Sequence, residues 1–597
     1  MNKVIADSIN ELRIIEKSIP HSRKYPVILL SHSFSFEDLN SFEERGFDFY
    51  DSFLTEKDTS FIHEEAKKLS QDWFIDKKNS DITKLEHCSV GESISYPIML
   101  IFKTVLGYMF SFRKILQKND KVICTKNTER LALLVLKYIS TEIGFEIKLV
   151  GHFPNNVLSY IRKKNPDHLG RYRNFSLEFS LNIKKLIAYY LTKLQVKKKI
   201  KFAKKIKVLH LQSGKNNNLR QFVKNKDNLV DWVIPMQNFR DIWNTKDSLA
   251  YFVLTTNISL RSYFLSKKML SDIKENLSIK NYVIHENLVL SVFEEFLFPY
   301  IYGIISKSNQ ALNLLQKYSP SMTLLTAETN TTNLLVANAA KFLGIKTVLT
   351  THGLTTLCFS SYIKKSRNLF EKVLTFTRLD YENYLSCGVD KRNIYFAIDP
   401  YFGSFSKINN FKSKGYKRAM ILLPDISEHP ADKMSFIYHY FESILDILNN
   451  LNIKIELIKS RNKPHELNIA DSKYFEYKGV KIPVYGGYDK FSKYSEGIDI
   501  VIGPASTAIL ESLLLNIDYY IFVQNNLSKL SNSYTNSIYE FANISFTKEQ
   551  LYQNIKNKKP LKNNRKIQDI IDLSAYKDMD DINLAYQNTL SQIYHSK

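Results

Sequence analysis

The turn Gly503-Pro504-Ala505-Ser506-Thr507 has the residue types that let an anion approach a backbone. Gly503 and Ala505 are small, and Ser506 and Thr507 supply hydroxyls. An apolar helical pattern follows, with Ile509, Leu510, Leu513 and Leu514 on its inner face. A helix start offers unpaired N–H groups and about half a positive charge, which suits a phosphate. Glu511 lies four residues after Thr507, on the same helix face, where a carboxylate accepts ribose hydroxyls. An ordinary capped helix with a solvated glutamate has the same features, because such turns recur in doubly wound domains.

Other candidates also follow short apolar runs. His352 follows TVLTT and precedes Gly353; it suits a base or a phosphate ligand, or a structural histidine in the next turn. Glu328 follows MTLLT and suits a general base for a hydroxyl, or a helix-start glutamate favoured by the dipole. His32 follows the run at 27–30 with a weaker signal. Asp425, Glu428, His429 and Pro430 follow the run at 418–423. Lys459, Arg461, Lys463 and His465 crowd one stretch, IKSRNKPHE, and cations of this kind pair with phosphate oxygens. A basic surface loop reads the same way. The chain has no P-loop, GxGxxG, HExxH or GxSxG, and no obvious DxD pair for a metal-bound nucleotide. The expected chemistry is therefore metal-independent, with no cofactor, and the leaving group is steadied by basic residues and a helix dipole.

Elements must position these residues. Strand-like runs at 498–502 and 519–523 flank the Gly503 turn, giving a parallel βαβ unit. Further runs at 418–423, 454–458 and 480–484, with a helix at 433–449, complete one doubly wound domain. Runs at 27–30, 121–125, 146–150, 208–211, 322–326, 346–350 and 372–376 alternate with helical patterns in the N-terminal half. The first 25 residues read as helical, and 96–115 and 281–305 as long apolar helices. The tail after 566 reads as one or two helices. The fold class is α/β: two Rossmann-like doubly wound domains, at 1–405 and 406–597. The first carries a large, mostly helical, Lys-rich insertion at about 155–315, and a polar linker spans 402–417.

Composition narrows the class. The chain has 597 residues, 44% of them hydrophobic and 24% charged, as in globular proteins. The four cysteines, Cys88, Cys124, Cys358 and Cys387, show no CxxC spacing, so free thiols are expected. The net charge of +23 favours polyanionic partners. Ten lysines fall between Lys184 and Lys207, interleaved with apolar residues, and 179–226 lacks any acid. That region suits an anionic membrane surface, a nucleic-acid patch, or a solvated helix face. The start of the chain is charged and has no apolar core, and the longest apolar run, 96–112, is interrupted by Lys103. The expectation is a cytoplasmic protein, peripheral on the inner face of the membrane.

The chain resembles bacterial glycosyltransferases of the two-Rossmann GT-B architecture that build capsule, lipopolysaccharide or teichoic-acid-like polymers. The matching stretches are TVLTTHG at 347–353, LLPD at 422–425, His429-Pro430, IKSRNKPHE and GPASTAILE. What the resemblance implies is a nucleotide-sugar site between the domains. Ser506 and Thr507 would hold the donor phosphate and Glu511 the ribose. His429, Lys459 and Arg461 would line the nucleotide pocket, and His352 or Glu328 would serve the acceptor. The HP pair points to CMP-linked acidic sugars, although it falls one strand earlier than the family pattern. The resulting expectation is an enzyme that moves a sugar from a nucleotide donor to a glycan or lipid-linked glycan acceptor, with nucleic acid disfavoured as a partner. CDP-polyol phosphotransfer and UDP-sugar epimerisation are alternatives on the same scaffold. A non-catalytic polyanion- or membrane-binding protein is the alternative from another class.

Overall fold

The computed structural model describes residues 1–33, 46–126, 128–151, 206–211, 230–235, 249–252, 254, 260–279, 284, 286–326, 331–350, 369–398, 402, 415–422, 434–459, 474–477, 480–485, 491, 494–504, 508–522, 543–560 and 579–596. Three sheets organise them, and every strand pairing but one is parallel. Parallel strands are covered on both faces, which explains why most of them read as short, nearly continuous apolar runs.

The first sheet comprises β1 (Asn2–Ser8), β2 (Val27–Ser33), β3 (Phe47–Phe49), β4 (Lys121–Thr125) and β5 (Glu146–Val150), in the order β3-β2-β1-β4-β5. Helices α1 (Ile9–Ser18), α2 (Glu56–Asp72), α3 (Val90–Ile115) and α4 (Arg130–Ile143) belong with it. The helix expected over the first 25 residues is thus a strand followed directly by a helix. Val4, Ile5 and Ala6 are fully buried as the centre of the sheet. Helix α3 is long and apolar enough to span a membrane by composition, yet 72% of that window is buried inside the fold. It is the core helix of this region, and even Lys103 is buried in it.

The second sheet takes β6 (Ile206–Leu211), β7 (Val230–Pro235), β8 (Leu249–Phe252), β9 (Met322–Thr326), β10 (Lys346–Thr350), β11 (Lys372–Thr375) and β12 (Ile394–Phe396), in the order β12-β11-β10-β9-β6-β7-β8. The helices that lie between and after its strands in the chain are α5 (Leu260–Ile279), α6 (Glu286–Val292), α7 (Phe298–Tyr318), α8 (Thr331–Phe342) and α9 (Arg378–Ser386), of which α5 and α6 pack into the core of the first sheet. Within 155–315 the described residues form helices α5 to α7 and three strands: β6 matches the run expected at 208–211, whereas β7 and β8 are additions to the expected helical region. The single helix expected at 281–305 is two helices separated by a π-helical turn, Phe293–Leu297, with Pro299 in the first turn of α7. Ile301, Ile304 and Ile305 of α7 join the core of the first sheet, whereas Ala311, Leu315 and Tyr318 join the second. One helix thus ties the two sheets together. Ser308 of α7 adds a buried polar tie: its hydroxyl lies 2.7 Å from His87 Nε2 and 2.9 Å from Cys88 Sγ.

The third sheet comprises β13 (Arg418–Leu422), β14 (Lys454–Lys459), β15 (Tyr474–Tyr477), β16 (Val480–Tyr485), β17 (Ile500–Gly503), β18 (Asp518–Phe522) and β19 (Ile544–Ser545), in the order β15-β16-β14-β13-β17-β18-β19. Helices α10 (Met434–Asn450), α11 (Ala508–Leu514) and α12 (Lys548–Lys556) accompany it, and α13 (Met579–His595) closes the chain. One apolar cluster unites Val208, Met322 and Val348 of the second sheet, Met420, Val501 and Tyr519 of the third, and Ile582, Tyr586 and Leu590 of α13. Lys346 Nζ donates to the Ile593, Tyr594 and Ser596 carbonyls at 2.9, 3.2 and 2.5 Å, capping α13 with a cation where the helix dipole favours one. Phe402, the first residue of the expected linker, is buried in the same cluster. Residues 403–414 lie outside the described residues.

Candidate functional site

In an open parallel sheet, ligands sit beyond the carboxyl ends of the strands where the strand order reverses. Each of the three sheets has one such point: between β1 and β4, between β6 and β9, and between β13 and β17.

The third is built from backbone and small residues. Lys459 pairs with Leu422, and Ile421 with Ile502, so β14, β13 and β17 end side by side at Lys459, Leu422 and Gly503. Any larger residue at Gly503 forces its neighbours to shift: a Cβ there would lie 2.6 Å from Tyr519 Oη and 2.8 Å from Leu422 Cβ. Tyr519 Oη donates to the Pro504 carbonyl at 2.6 Å, so a fully buried tyrosine on β18 pins the chain as it leaves the strand. Glu511 is buried in the first turn of α11. On the other flank, Tyr485 pairs with Lys459, and its half-exposed ring packs on Tyr494 with centroids 4.5 Å apart. Topology therefore brings to one edge the starts of the stretches that carry His429, Arg461, and Ser506 with Thr507. Those four residues, and the Lys459 side chain, lie outside the described residues.

In the second sheet, Thr326 pairs with Thr350 at the carboxyl ends of β9 and β10. Glu328 and His352 each follow two residues later and lie outside the described residues, as does the side chain of His32. The described part of the Lys-rich region is Ile206 and Lys207; 184–205 lie outside. His210 on β6 is a histidine that the sequence does not flag. It is fully buried with its ring 5.9 Å from that of Trp232, and burial pushes its pKa down to about 3, so it is neutral.

The switch point of the first sheet is filled by the chain itself. Glu11 Oε2 accepts the Asp7 N–H at 3.2 Å and the Thr128 hydroxyl at 3.3 Å. Thr128 Oγ1 in turn accepts the Thr125 N–H at 3.0 Å. Glu129 caps α4, its carboxylate accepting the Leu131 and Ala132 N–H groups at 3.2 and 2.9 Å. Those are the donors an incoming phosphate would use. Burial raises the Glu129 pKa to about 7, against the lowering effect of these N–H groups and of Tyr108. The sequence hides this plug, because Thr128-Glu129-Arg130 looks like any solvated helix start. The one local sign is the acid Glu129 at the N-cap, just ahead of the apolar run at 131–136.

The described cysteines Cys88, Cys124 and Cys387 are buried thiols, none of them in a disulfide. Burial raises Cys88 and Cys124 to about 12, so neither is a nucleophile near neutrality. Among the described residues no group of three or more His, Cys, Asp or Glu is arranged to hold a metal ion.

No protein-family model matches the sequence. No curated protein matches it. Among solved structures it is similar to UDP-GlcNAc 2-epimerase from Neisseria meningitidis bound to UDP-GlcNAc, at 11% identity over 66% of this chain and 100% of that one, with a TM-score of 0.39. It is similar to UDP-N-acetylglucosamine 2-epimerase from Rickettsia bellii at 14% identity, over 65% and 97% of the two chains, with a TM-score of 0.38. A glycosyltransferase from Rickettsia africae ESF-5 matches at 11% identity, over 66% and 95%, with a TM-score of 0.33.

Proposed function

We propose that this chain is a glycosyltransferase that moves a sugar from a nucleotide-activated donor to a surface-glycan acceptor, with no metal ion. The observation that carries the reading is the carboxyl edge of the third sheet, where β14, β13 and β17 end in register at Lys459, Leu422 and Gly503. A phosphate site there needs small residues, donors and cations, and the sequence after these three strand ends supplies all of them.

In this reading Ser506 and Thr507 hold the donor phosphate, and Glu511 takes the ribose hydroxyls. His429, Lys459 and Arg461 line the nucleotide pocket. The acceptor oxygen forms a bond to the anomeric carbon as the bond from that carbon to the phosphate oxygen breaks. The electron pair leaves with the nucleotide, and the acceptor proton passes to Glu328 or His352. Fixed donors and cations around the departing phosphate lower the barrier electrostatically. A cytoplasmic protein held at the inner membrane face through the region between Lys184 and Lys207 would meet a lipid-linked acceptor there.

A thermal-shift panel with CMP, CDP, UDP, UMP, GDP and dTDP tests the donor site. A ligand at about 100 times its Kd adds roughly 2.7 kcal/mol of stability. Selective stabilisation by CMP points to acidic-sugar donors, by CDP to polyol phosphate, and by UDP, GDP or dTDP to hexose transfer. Epimerised UDP-sugar appearing without any acceptor would replace transfer with epimerisation. The Ser506→Ala/Thr507→Ala pair should weaken nucleotide binding at least tenfold, since hydrogen bonds to charged groups are worth about 1.5–3 kcal/mol each. Unchanged affinity in the folded double variant removes the phosphate site.

A further inference from the structure

Helix α5 is turned inside out over its first two turns. Facing inward are Ser262 and Ser266, both buried, and facing outward are Leu260, Tyr263 and Phe264, at 76%, 44% and 66% exposure. Core helices normally bury the large apolar residues. At 100° per residue, Leu260, Arg261, Tyr263, Phe264, Lys267 and Lys268 fall within an arc of about 160°. All six are exposed. No acid occurs from 260 to 271; the first is Asp272. Lys267 Nζ lies 4.9 Å from the centroid of the Tyr263 ring, so its stem runs along apolar surface with the charge beyond it.

The opposite face holds the helix firmly. Met269, Ile273 and Leu277 join the first core. Asn276 Nδ2 donates to the Trp73 and Ile75 carbonyls at 2.9 and 3.1 Å, and Asn309 Nδ2 donates to Ser262 Oγ at 3.4 Å. The patch extends beyond the helix. Phe342, 48% exposed, lies 6.2 Å from the His87 ring, and the charges of Glu86 and Arg261 both reach that imidazole.

We propose that the outer face of α5 docks the protein on an anionic lipid bilayer, with Leu260 and Phe264 entering the headgroup boundary and Arg261, Lys267 and Lys268 meeting lipid phosphates. An apolar ridge flanked by cations, with no acid on the helix from 260 to 271, complements such a surface: the apolar side chains leave water, and each cation near the membrane adds attraction. Nucleic acid would use the cations and leave Leu260 and Phe264 without purpose. This docking does not depend on the proposed transfer reaction, and its test involves no nucleotide.

The test is co-sedimentation of the full chain with vesicles of phosphatidylcholine alone and of phosphatidylcholine with phosphatidylglycerol. The wild type should sediment with the anionic vesicles and remain free with the neutral ones. Leu260→Ser/Phe264→Ser, two exposed changes that leave the core intact, should lower the partition coefficient about tenfold or more. Lys267→Glu/Lys268→Glu should lower it at least as far. A control pair on another surface, Lys556→Glu/Lys559→Glu, should change it less than twofold. Equal losses in control and α5 variants, or undiminished binding in both α5 pairs, would overturn the proposal. So would losses confined to the lysine pair and matched by equal binding to duplex DNA, which would mark a polyanion surface instead.

Discussion

The first and third sheets share a strand order through their centres, β3-β2-β1-β4-β5 and β16-β14-β13-β17-β18, and they treat the same crevice in opposite ways. In the first, the strand beyond the switch point ends at Thr125 and leads to Thr128 and Glu129, which spend the local N–H groups on the chain's own side chains. Asp7 and Glu11 add buried acid. In the third, the equivalent strand ends at Gly503, and the turn after it carries no acid. A tyrosine from the neighbouring strand holds that turn from below. Topology makes a ligand crevice available, and the residue at the strand end decides whether ligand or chain fills it. A carboxylate plug spends the local donors on the chain itself, and in the proposed reading the turn after Gly503 keeps its donors for an anion.

The largest expected effect breaks the third site. Gly503→Val adds three heavy atoms where the first already lies 2.6 Å from Tyr519 Oη. Overpacking against a buried strand should cost about 3 kcal/mol. Urea denaturation should show the loss, and nucleotide binding should go with it because the turn must shift. A variant of wild-type stability would mean that the strand end is not pressed against Leu422 and Tyr519.

The second effect concerns the plug and reads as a pH dependence. Folding raises the Glu129 pKa from 4.5 to about 7. The folded state therefore favours the protonated acid. The contribution is fully present below about pH 4.5 and is lost as pH rises through about 7, a swing on the order of 2 kcal/mol. Glu129→Gln keeps an acceptor for the cap and removes the ionisation. Its stability should be flatter across that window, with a gain over wild type near pH 8. Parallel pH profiles for the two proteins would show that Glu129 ionises normally. At the opposite edge of this sheet the sign reverses. Asp120, paired with Lys3 at 2.9 Å, is held near pKa 2, so its contribution is present above the normal carboxylate range and fades in acid.

Much of this contrast was visible in the residues, for physical reasons. The runs at 121–125, 322–326, 346–350 and 418–423 read as strands because both faces are buried. The Gly503 turn stood out because glycine, proline and hydroxyls interrupt two such runs. β1 was misread because NKVIADS passes directly into the helical period of α1 with no turn residue between them. β7 and β8 went unseen because VDWVIP carries a buried Asp231 and ends in proline, and LAYF is only four residues long. The contact of His87 and Cys88 with Ser308 joins residues more than two hundred positions apart, and no local pattern announces it. The carboxylate plug was likewise illegible: Asp7, Glu11 and Glu129 meet only because β1 and β4 are neighbours.

The smallest effect sharpens the comparison at one atom. Tyr519→Phe deletes the hydroxyl that donates to the Pro504 carbonyl and changes little of the apolar volume in the cluster around it. The carbonyl then loses its donor at a site walled by buried residues, which costs about 1 kcal/mol. The same deletion opens room beside Gly503, since Tyr519 Oη is the nearest atom to any Cβ added there. Gly503→Ala should therefore cost less in the Tyr519→Phe background than in the wild type, with the residue coupled through the 2.8 Å approach to Leu422 remaining. A double-mutant cycle by urea denaturation measures that coupling. Strict additivity would mean that tyrosine and glycine do not share the space described, and the pinned turn would lose its distinction from the strand end at Thr125.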